Sequence, residues 1–216
     1  MSLQLGDTAP DFTAETTRGR IRFHEWLGSS WGLFVSHPRD FTPVCTTELG
    51  QLALLQRHFD DRGVKIMGLS IDNVVSHEQW LHDIRDTHGV NLHFPIAADV
   101  DRSIANLYGM LHPNHEEAFT VRTLFVIDPA KKVRLTLAYP RSCGRNFDEI
   151  LRTIDSLQLT DSHGVSTPAH WRVGDDVIIP PAIPDEEARE KFPLGWQEIK
   201  PYLRVTPDPR SYHQAV

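Results

Sequence analysis

Cysteine is scarce in this chain: 216 residues hold two, Cys45 and Cys143. Two thiols cannot make a disulfide framework, and without a CxxC pair, disulfide exchange of the thioredoxin kind is disfavoured. HExxH is also missing, and His112 and His115 sit in a Pro-Asn turn with no sulfur nearby, so no metal is expected. No apolar run approaches the roughly 18 residues of a membrane span. Residues 1–7 lack the basic start and apolar core of a secretory signal, so the expected location is cytoplasmic. Positive charge is short too, with 22 Lys and Arg against 29 Asp and Glu and a formal charge of −7. That balance argues against nucleic acid, whose phosphates need a basic surface. In a reducing compartment, the uses left for two cysteines are catalysis, redox sensing or burial.

What is present concentrates in the stretch Ser36-His37-Pro38-Arg39-Asp40-Phe41-Thr42-Pro43-Val44-Cys45-Thr46-Thr47-Glu48-Leu49. The apolar run Leu33-Phe34-Val35 precedes it, and Leu49, Leu52, Leu55, Gln56 and Phe59 follow at helical spacing, which predicts strand, short loop and helix. Thr42 suits the N-cap and Pro43 the first helical position, where a missing N–H costs nothing. Cys45 then falls in the first turn, among unpaired backbone N–H groups at the positive end of the helix dipole. A sulfur there is better stabilised as thiolate than as thiol, which predicts a nucleophile.

The rest of the chain alternates. Phe12-Thr13-Ala14 and Ile21-Arg22-Phe23 read as an N-terminal hairpin, and Val64 to Ile71 as a buried parallel strand. A helix from Ser76 to His88-Gly89, a short strand at Phe94 to Ala98, and a short helix from Ser103 to Tyr108 come next. Val121 to Ile127 and Val133 to Tyr139 form a second hairpin across Asp128-Pro129-Ala130-Lys131-Lys132. Phe147, Ile150, Leu151, Ile154 and Leu157 give the apolar face of a helix that stops near His163-Gly164. A βαβ half followed by a hairpin and a helix is the order of an α/β, thioredoxin-like fold, a central mixed sheet flanked by helices. From Val165 onward eight of the fifteen prolines crowd between Pro168 and Pro209. With Trp171 and Trp196 as apolar anchors, this segment is expected to be ordered but poor in regular structure, apart from a helical piece at Asp185 to Glu190. The domain division read from this is 1–164 and 165–216.

The pattern PxxxTxxC, filled by Pro38, Thr42 and Cys45, resembles the active-site signature of the peroxiredoxins. The longer fourteen-residue run resembles their one-cysteine, peroxiredoxin-6-type branch. The resemblance implies a thiol-dependent peroxidase that reduces hydrogen peroxide and organic hydroperoxides through a sulfenic acid on Cys45, without metal, haem or flavin. It makes Cys45, Thr42 and Arg122 catalytic, with Arg122 as the guanidinium beside the thiolate. Pro38 would shield the sulfur, Glu48 would orient the guanidinium groups, Arg145 would stand behind them, and His37 would contact the site or assist proton transfer. It implies that residues 165–216 pack against a partner subunit in a homodimer, possibly within a higher oligomer. Sulfenic acid must be reduced by another thiol. Cys143, two residues before Arg145, is not where two-cysteine relatives carry a resolving cysteine, yet closeness to Arg145 makes it a candidate resolving thiol that would pair with Cys45; the reading as a non-catalytic thiol is preferred, leaving glutathione or a thioredoxin-type protein as external reductant.

A second function comes from a different class. Gly28-Ser29-Ser30-Trp31-Gly32 fits GxSxG and His24 precedes it, and relatives of this branch are also described as phospholipases. The match is partial, because Ala130 stands where those relatives carry an acid and the nearby acid is Asp128, across Pro129.

Overall fold

The computed structural model describes residues 3–112 and 119–214, so His115 of the two histidines above lies outside the described residues. Contacts group the chain into two compact units, up to Phe147 and from Asp148 onward. Among the described residues no helix is long and apolar enough to cross a membrane.

In the first unit, β1 (Thr13–Thr16) and β2 (Gly19–Arg22) form the N-terminal hairpin, in register Thr13 to Arg22. Phe23, read as strand from its alternation, instead starts α1 (Phe23–Leu27). Its N–H bonds the Phe12 carbonyl and its ring stacks on Phe12 at 4.8 Å, so burial of the aromatic decides the turn into the helix. β3 (Trp31–Ser36) leads to α2 (Pro43–Leu54), α3 (Gln56–Asp60) and β4 (Val64–Ser70). The expected single helix through Phe59 breaks at Leu55, where ψ near 0° leaves helical geometry for one residue before the next turn starts.

α4 (Val74–His88) starts two residues before the expected Ser76, because Asn73 caps it by accepting the Ser76 N–H at 2.9 Å. It ends at Gly89, whose φ of 66° closes a left-handed cap that favours glycine. β5 (Ile96–Ala98), α5 (Ser103–Leu107), β6 (Arg122–Ile127) and β7 (Val133–Tyr139) complete the unit.

The seven strands form one mixed sheet in the order β2-β1-β5-β4-β3-β6-β7. β3 and β4 are parallel, joined by α2 as crossover, and β6 runs antiparallel to β3. One face carries Phe12, Phe23, Phe34, Tyr108 and Phe125, with Phe34 and Tyr108 edge-on at 4.9 Å. The alternate residues Leu33, Val35, Ile66, Leu124 and Val126 are buried as well, so both faces are covered, as a thioredoxin-like layer order requires.

From its second residue onward, α6 (Phe147–His163) opens the second unit. The segment expected to be poor in regular structure holds β8 (Val177–Ile179), α7 (Asp185–Lys191), β9 (Gln197–Lys200), β10 (Leu203–Thr206) and a 3₁₀ turn at Pro209–Gln214. Its strands make an antiparallel sheet, β8-β10-β9, over a small core of Leu159, Trp171, Ile179 and Phe192. Three- and four-residue strands separated by prolines leave too short a period for alternation to be read, and every residue of β9 is exposed.

Candidate active site

The site assembles at the carboxyl end of β3, where open α/β sheets commonly leave a crevice. Ser36 ends that strand; its hydroxyl donates to the Val121 carbonyl at 2.6 Å and accepts the Thr123 N–H at 3.1 Å. The antiparallel register pairs Val35 with Leu124, so Arg122, the first residue of β6, emerges beside the loop that follows β3. β7 pairs Tyr139 with Arg122, and the chain after it, through Cys143 to Arg145, returns to the same end of the sheet. Three segments distant in sequence therefore meet at the start of α2.

Thr42 occupies the N-cap position with extended backbone and Pro43 follows at the first helical position, but the Thr42 hydroxyl makes no cap hydrogen bond. It donates to the Arg39 carbonyl at 2.9 Å. The first-turn amides of Val44 and Cys45 consequently have no acceptor within the helix. The Cys45 sulfur is fully buried, with Arg122 Nη1 3.5 Å away.

Arg122 is itself held from two sides: its Nη1 donates to Glu48 Oε2 at 2.6 Å and its Nε to the Arg141 carbonyl at 3.0 Å. Glu48 also takes three bonds from Arg145, two on Oε1 from the backbone N–H and Nε and one on Oε2 from Nη2, each at 2.8 Å. Arg145 Nη1 donates to the Thr123 carbonyl at 2.9 Å. All three charged side chains are buried. Burial pushes the Glu48 carboxyl up, yet the Arg145 charge and hydrogen bonds, helped by Arg122, more than offset it and hold the group below the usual carboxylate range. Two guanidinium groups against one carboxylate leave the cluster with one positive charge in excess, which a sulfur anion at Cys45 would cancel.

A cavity of about 470 Å³ opens over this point, lined by Pro38, Thr42, Pro43, Val44, Arg122, Arg141 and Ser142. The structure thus brings together Cys45, Thr42, Pro38, Arg122, Glu48 and Arg145. His37 is also buried nearby, its ring 5.0 Å from that of Trp80, whose Nε1 donates to Thr46, the residue after Cys45. Cys143 is exposed, on a turn closed by its N–H to the Pro140 carbonyl at 3.0 Å.

Sequence reading missed Asp40 and His77. Asp40 accepts from His37 Nε2 and from His77 Nδ1, each at 2.8 Å, so the facing atoms of this buried trio are joined by hydrogen bonds. A signal existed: His77, Trp80 and Ile84 are buried at helical spacing, and a histidine on that stripe needs a polar partner. The hydrolase arrangement does not form. His24 Nε2 donates to the Ala9 carbonyl at 2.8 Å, not to Ser30, and Asp128 is taken up by the Lys132 N–H and Arg134.

Comparison with known proteins agrees with this geometry. The AhpC/TSA family matches residues 5–136, and the C-terminal domain of 1-Cys peroxiredoxin matches residues 156–198. A 1-Cys peroxiredoxin of Dictyostelium discoideum is 53% identical over 97% of this chain and 87% of its own length. Human peroxiredoxin-6 is 50% identical over 96% of this chain and 98% of its own. Among solved structures, the yeast mitochondrial 1-Cys peroxiredoxin, described for thiol resolution through glutathione and thioredoxin systems, superposes with a TM-score of 0.90 at 50% identity, covering 95% of this chain and 99% of the other. A Cys-to-Ser mutant of the peroxiredoxin 6 of Arenicola marina gives 0.91 at 45% identity, over 97% and 100%. A buried sulfur against a clamped arginine at a helix start, on this fold and with these relatives, makes the chain a member of the peroxiredoxin family, in its one-cysteine branch, and a thiol-dependent peroxidase.

Proposed function

We propose that this peroxidase reduces hydrogen peroxide and organic hydroperoxides at Cys45, and that the 3.5 Å approach of Arg122 to the sulfur is the observation that carries the assignment. The sulfur reacts as an anion. It attacks one oxygen of the peroxide, an S–O bond forms as the O–O bond breaks, and the other oxygen leaves with the electron pair and takes up a proton. Cys45 is left as sulfenic acid, oxidised by two electrons, and water or an alcohol departs. The Arg122 guanidinium and the free first-turn amides are the groups able to stabilise charge on sulfur and on the departing oxygen. Thr42 and Pro38, lining the cavity, bound the space in which the O–O bond aligns with the sulfur.

Regeneration is assigned to an external thiol, glutathione or a thioredoxin-type protein. That thiol displaces water from the sulfenic acid to form a mixed disulfide, and a second thiol releases Cys45. Support comes from the yeast relative, described as resolved through those two systems, and from the contrast between a fully buried Cys45 and an exposed Cys143. Residues 1–164 are assigned the peroxidase chemistry and 165–216 the contact to a second subunit of a cytoplasmic homodimer. Strand β7 closes one end of the sheet; beyond Val133, which exchanges backbone hydrogen bonds with Gly6 and Asp7, its outer edge faces no other described strand, which suits pairing with a second copy.

The test is peroxide consumption with glutathione or a thioredoxin system as electron source, for wild type, Cys45→Ser and Cys143→Ser. Loss in Cys45→Ser alone supports the proposal; retained turnover in Cys45→Ser ends it.

A further inference from the structure

One aromatic ring ties together two cations at the entrance to Cys45. The Arg39 guanidinium, from the loop after β3, lies 5.8 Å from the centroid of Phe119, and that of Arg141, from the turn after β7, lies 5.4 Å from the same centroid. The peroxide chemistry above uses neither side chain: Arg39 gives Thr42, and Arg141 gives Arg122, only a backbone carbonyl. Both nevertheless border the space over the sulfur. Arg141 lines the cavity of about 470 Å³ itself, and Arg39 lines an adjoining one of about 260 Å³ that shares Thr42 with it.

A cation over a ring is attracted by the negative π-face, which uses up none of the N–H donors of the guanidinium. Arg39 is exposed, and among the described residues nothing accepts a hydrogen bond from its side chain. The two acids lining its cavity are engaged elsewhere: Asp40 by His37, His77 and Ser76, and Asp72 by the Asp40 N–H and the Ser70 hydroxyl. No acid among the described residues lines the cavity over Cys45. In a chain of formal charge −7, the entrance to the sulfur is therefore locally positive. Hydrogen peroxide is uncharged and needs no such field. A thiol reductant such as glutathione does: it carries two carboxylates against one ammonium, and it approaches an acidic protein as an anion. Guanidinium groups bind carboxylates through paired N–H···O bonds.

We propose that Arg39 and Arg141, held together by Phe119, recognise the carboxylates of a small anionic thiol of the glutathione class and so select it as reductant of the Cys45 sulfenic acid. This rests on the peroxidase reading above and deepens its second half. With a carboxylate held at the rim, the sulfur of the reductant attacks the sulfenic sulfur. The S–S bond forms, the S–O bond breaks, and the oxygen leaves with the electron pair and takes up the proton of the thiol as water. A second molecule of the thiol then attacks the reductant's sulfur in the mixed disulfide, freeing Cys45 and leaving the reductant as its own disulfide.

In the experiment the full chain is converted to sulfenic acid with one equivalent of hydrogen peroxide and then mixed with glutathione or with the uncharged thiol 2-mercaptoethanol, mixed disulfide being followed by rapid quench and intact mass. Arg39→Gln should lower the glutathione rate relative to the 2-mercaptoethanol rate about fivefold, and adding Arg141→Gln should lower that ratio further. In the wild type, salt at about 0.5 M should slow glutathione more than 2-mercaptoethanol. Arg39→Lys keeps the charge and should keep most of this salt dependence. An equal fall for both thiols in Arg39→Gln, or equal salt dependence for both in the wild type, overturns the inference. So does a wild type that a thioredoxin system reduces and glutathione does not. If the double variant fails to fold, Arg39→Gln and the wild-type salt dependence decide the matter. Failure of the peroxidase reading is separate: the first step would then give no sulfenic acid on Cys45.

Discussion

Replacing Glu48 with glutamine keeps the shape of the side chain and removes its charge. Four hydrogen bonds end on the native carboxylate, two on each oxygen, and every one comes from a guanidinium or its backbone. The amide keeps one acceptor and turns an NH₂ toward the donors that the other oxygen served, so about two charge-assisted bonds are lost, at roughly 1.5–3 kcal/mol each. Two buried guanidinium groups are left without their counter-charge, and breaking such a buried cluster costs about 3–5 kcal/mol. The two routes agree on about 4 kcal/mol, a large part of the roughly 5–15 kcal/mol that holds a protein folded. Urea unfolding followed by tryptophan fluorescence should show the midpoint falling by about 1–2 M. Sulfenic acid formation should slow by at least tenfold as well, because Arg122 loses the anchor that aims it at sulfur. A loss below about 1 kcal/mol, the scale of a solvated surface pair, would refute the picture of a dry clamp.

Further expectations follow from the same geometry. Acidification should destabilise the fold in two stages. His37, held below its usual range, stays neutral while the unfolded chain takes up its proton, so stability begins to fall below about pH 6.5. Asp40 and Glu48, also held below their ordinary range, contribute stability present above about pH 4 that is lost as pH drops toward their folded values. Thermal melting across that range measures this, and a midpoint flat between about pH 7 and pH 4 would contradict it. Gly50→Ala should cost about 1–3 kcal/mol, because the added carbon would lie 2.4 Å from the His88 ring. His88→Ala in the same chain should restore most of the loss; no rescue would mean the strain lies elsewhere. Ser30→Ala should leave peroxide reduction unchanged and, with His24 committed to the Ala9 carbonyl, no phospholipid hydrolysis should be detectable in the wild type.

Much of the site was legible because it is local. Pro38, Thr42, Cys45 and Glu48 lie within eleven residues, and a cap, a helical proline and an apolar stripe set their spacing before any tertiary contact. Arg122 and Arg145 were legible only through family resemblance, since what brings them to the sulfur is register: β6 antiparallel to β3, and β7 returning beside β6. The Thr42 hydroxyl bonds Arg39 and not the helix, a choice between two nearby partners that composition does not resolve. Asp40 carries no signal of its own within the loop, because its partner His77 lies 37 residues away. The small C-terminal sheet was hidden for a different reason. Its strands are so short that proline content outweighs alternation, although β10 alternates half-buried and buried positions.

The central claim is that peroxide meets an ionised Cys45. One equivalent of hydrogen peroxide, a sulfenic-acid-trapping dione and peptide mapping of the trapped protein test it most directly. The account predicts the adduct on the peptide that holds Cys45, with Cys143 unmodified; an adduct on Cys143 alone, or none while peroxide is consumed, would contradict it.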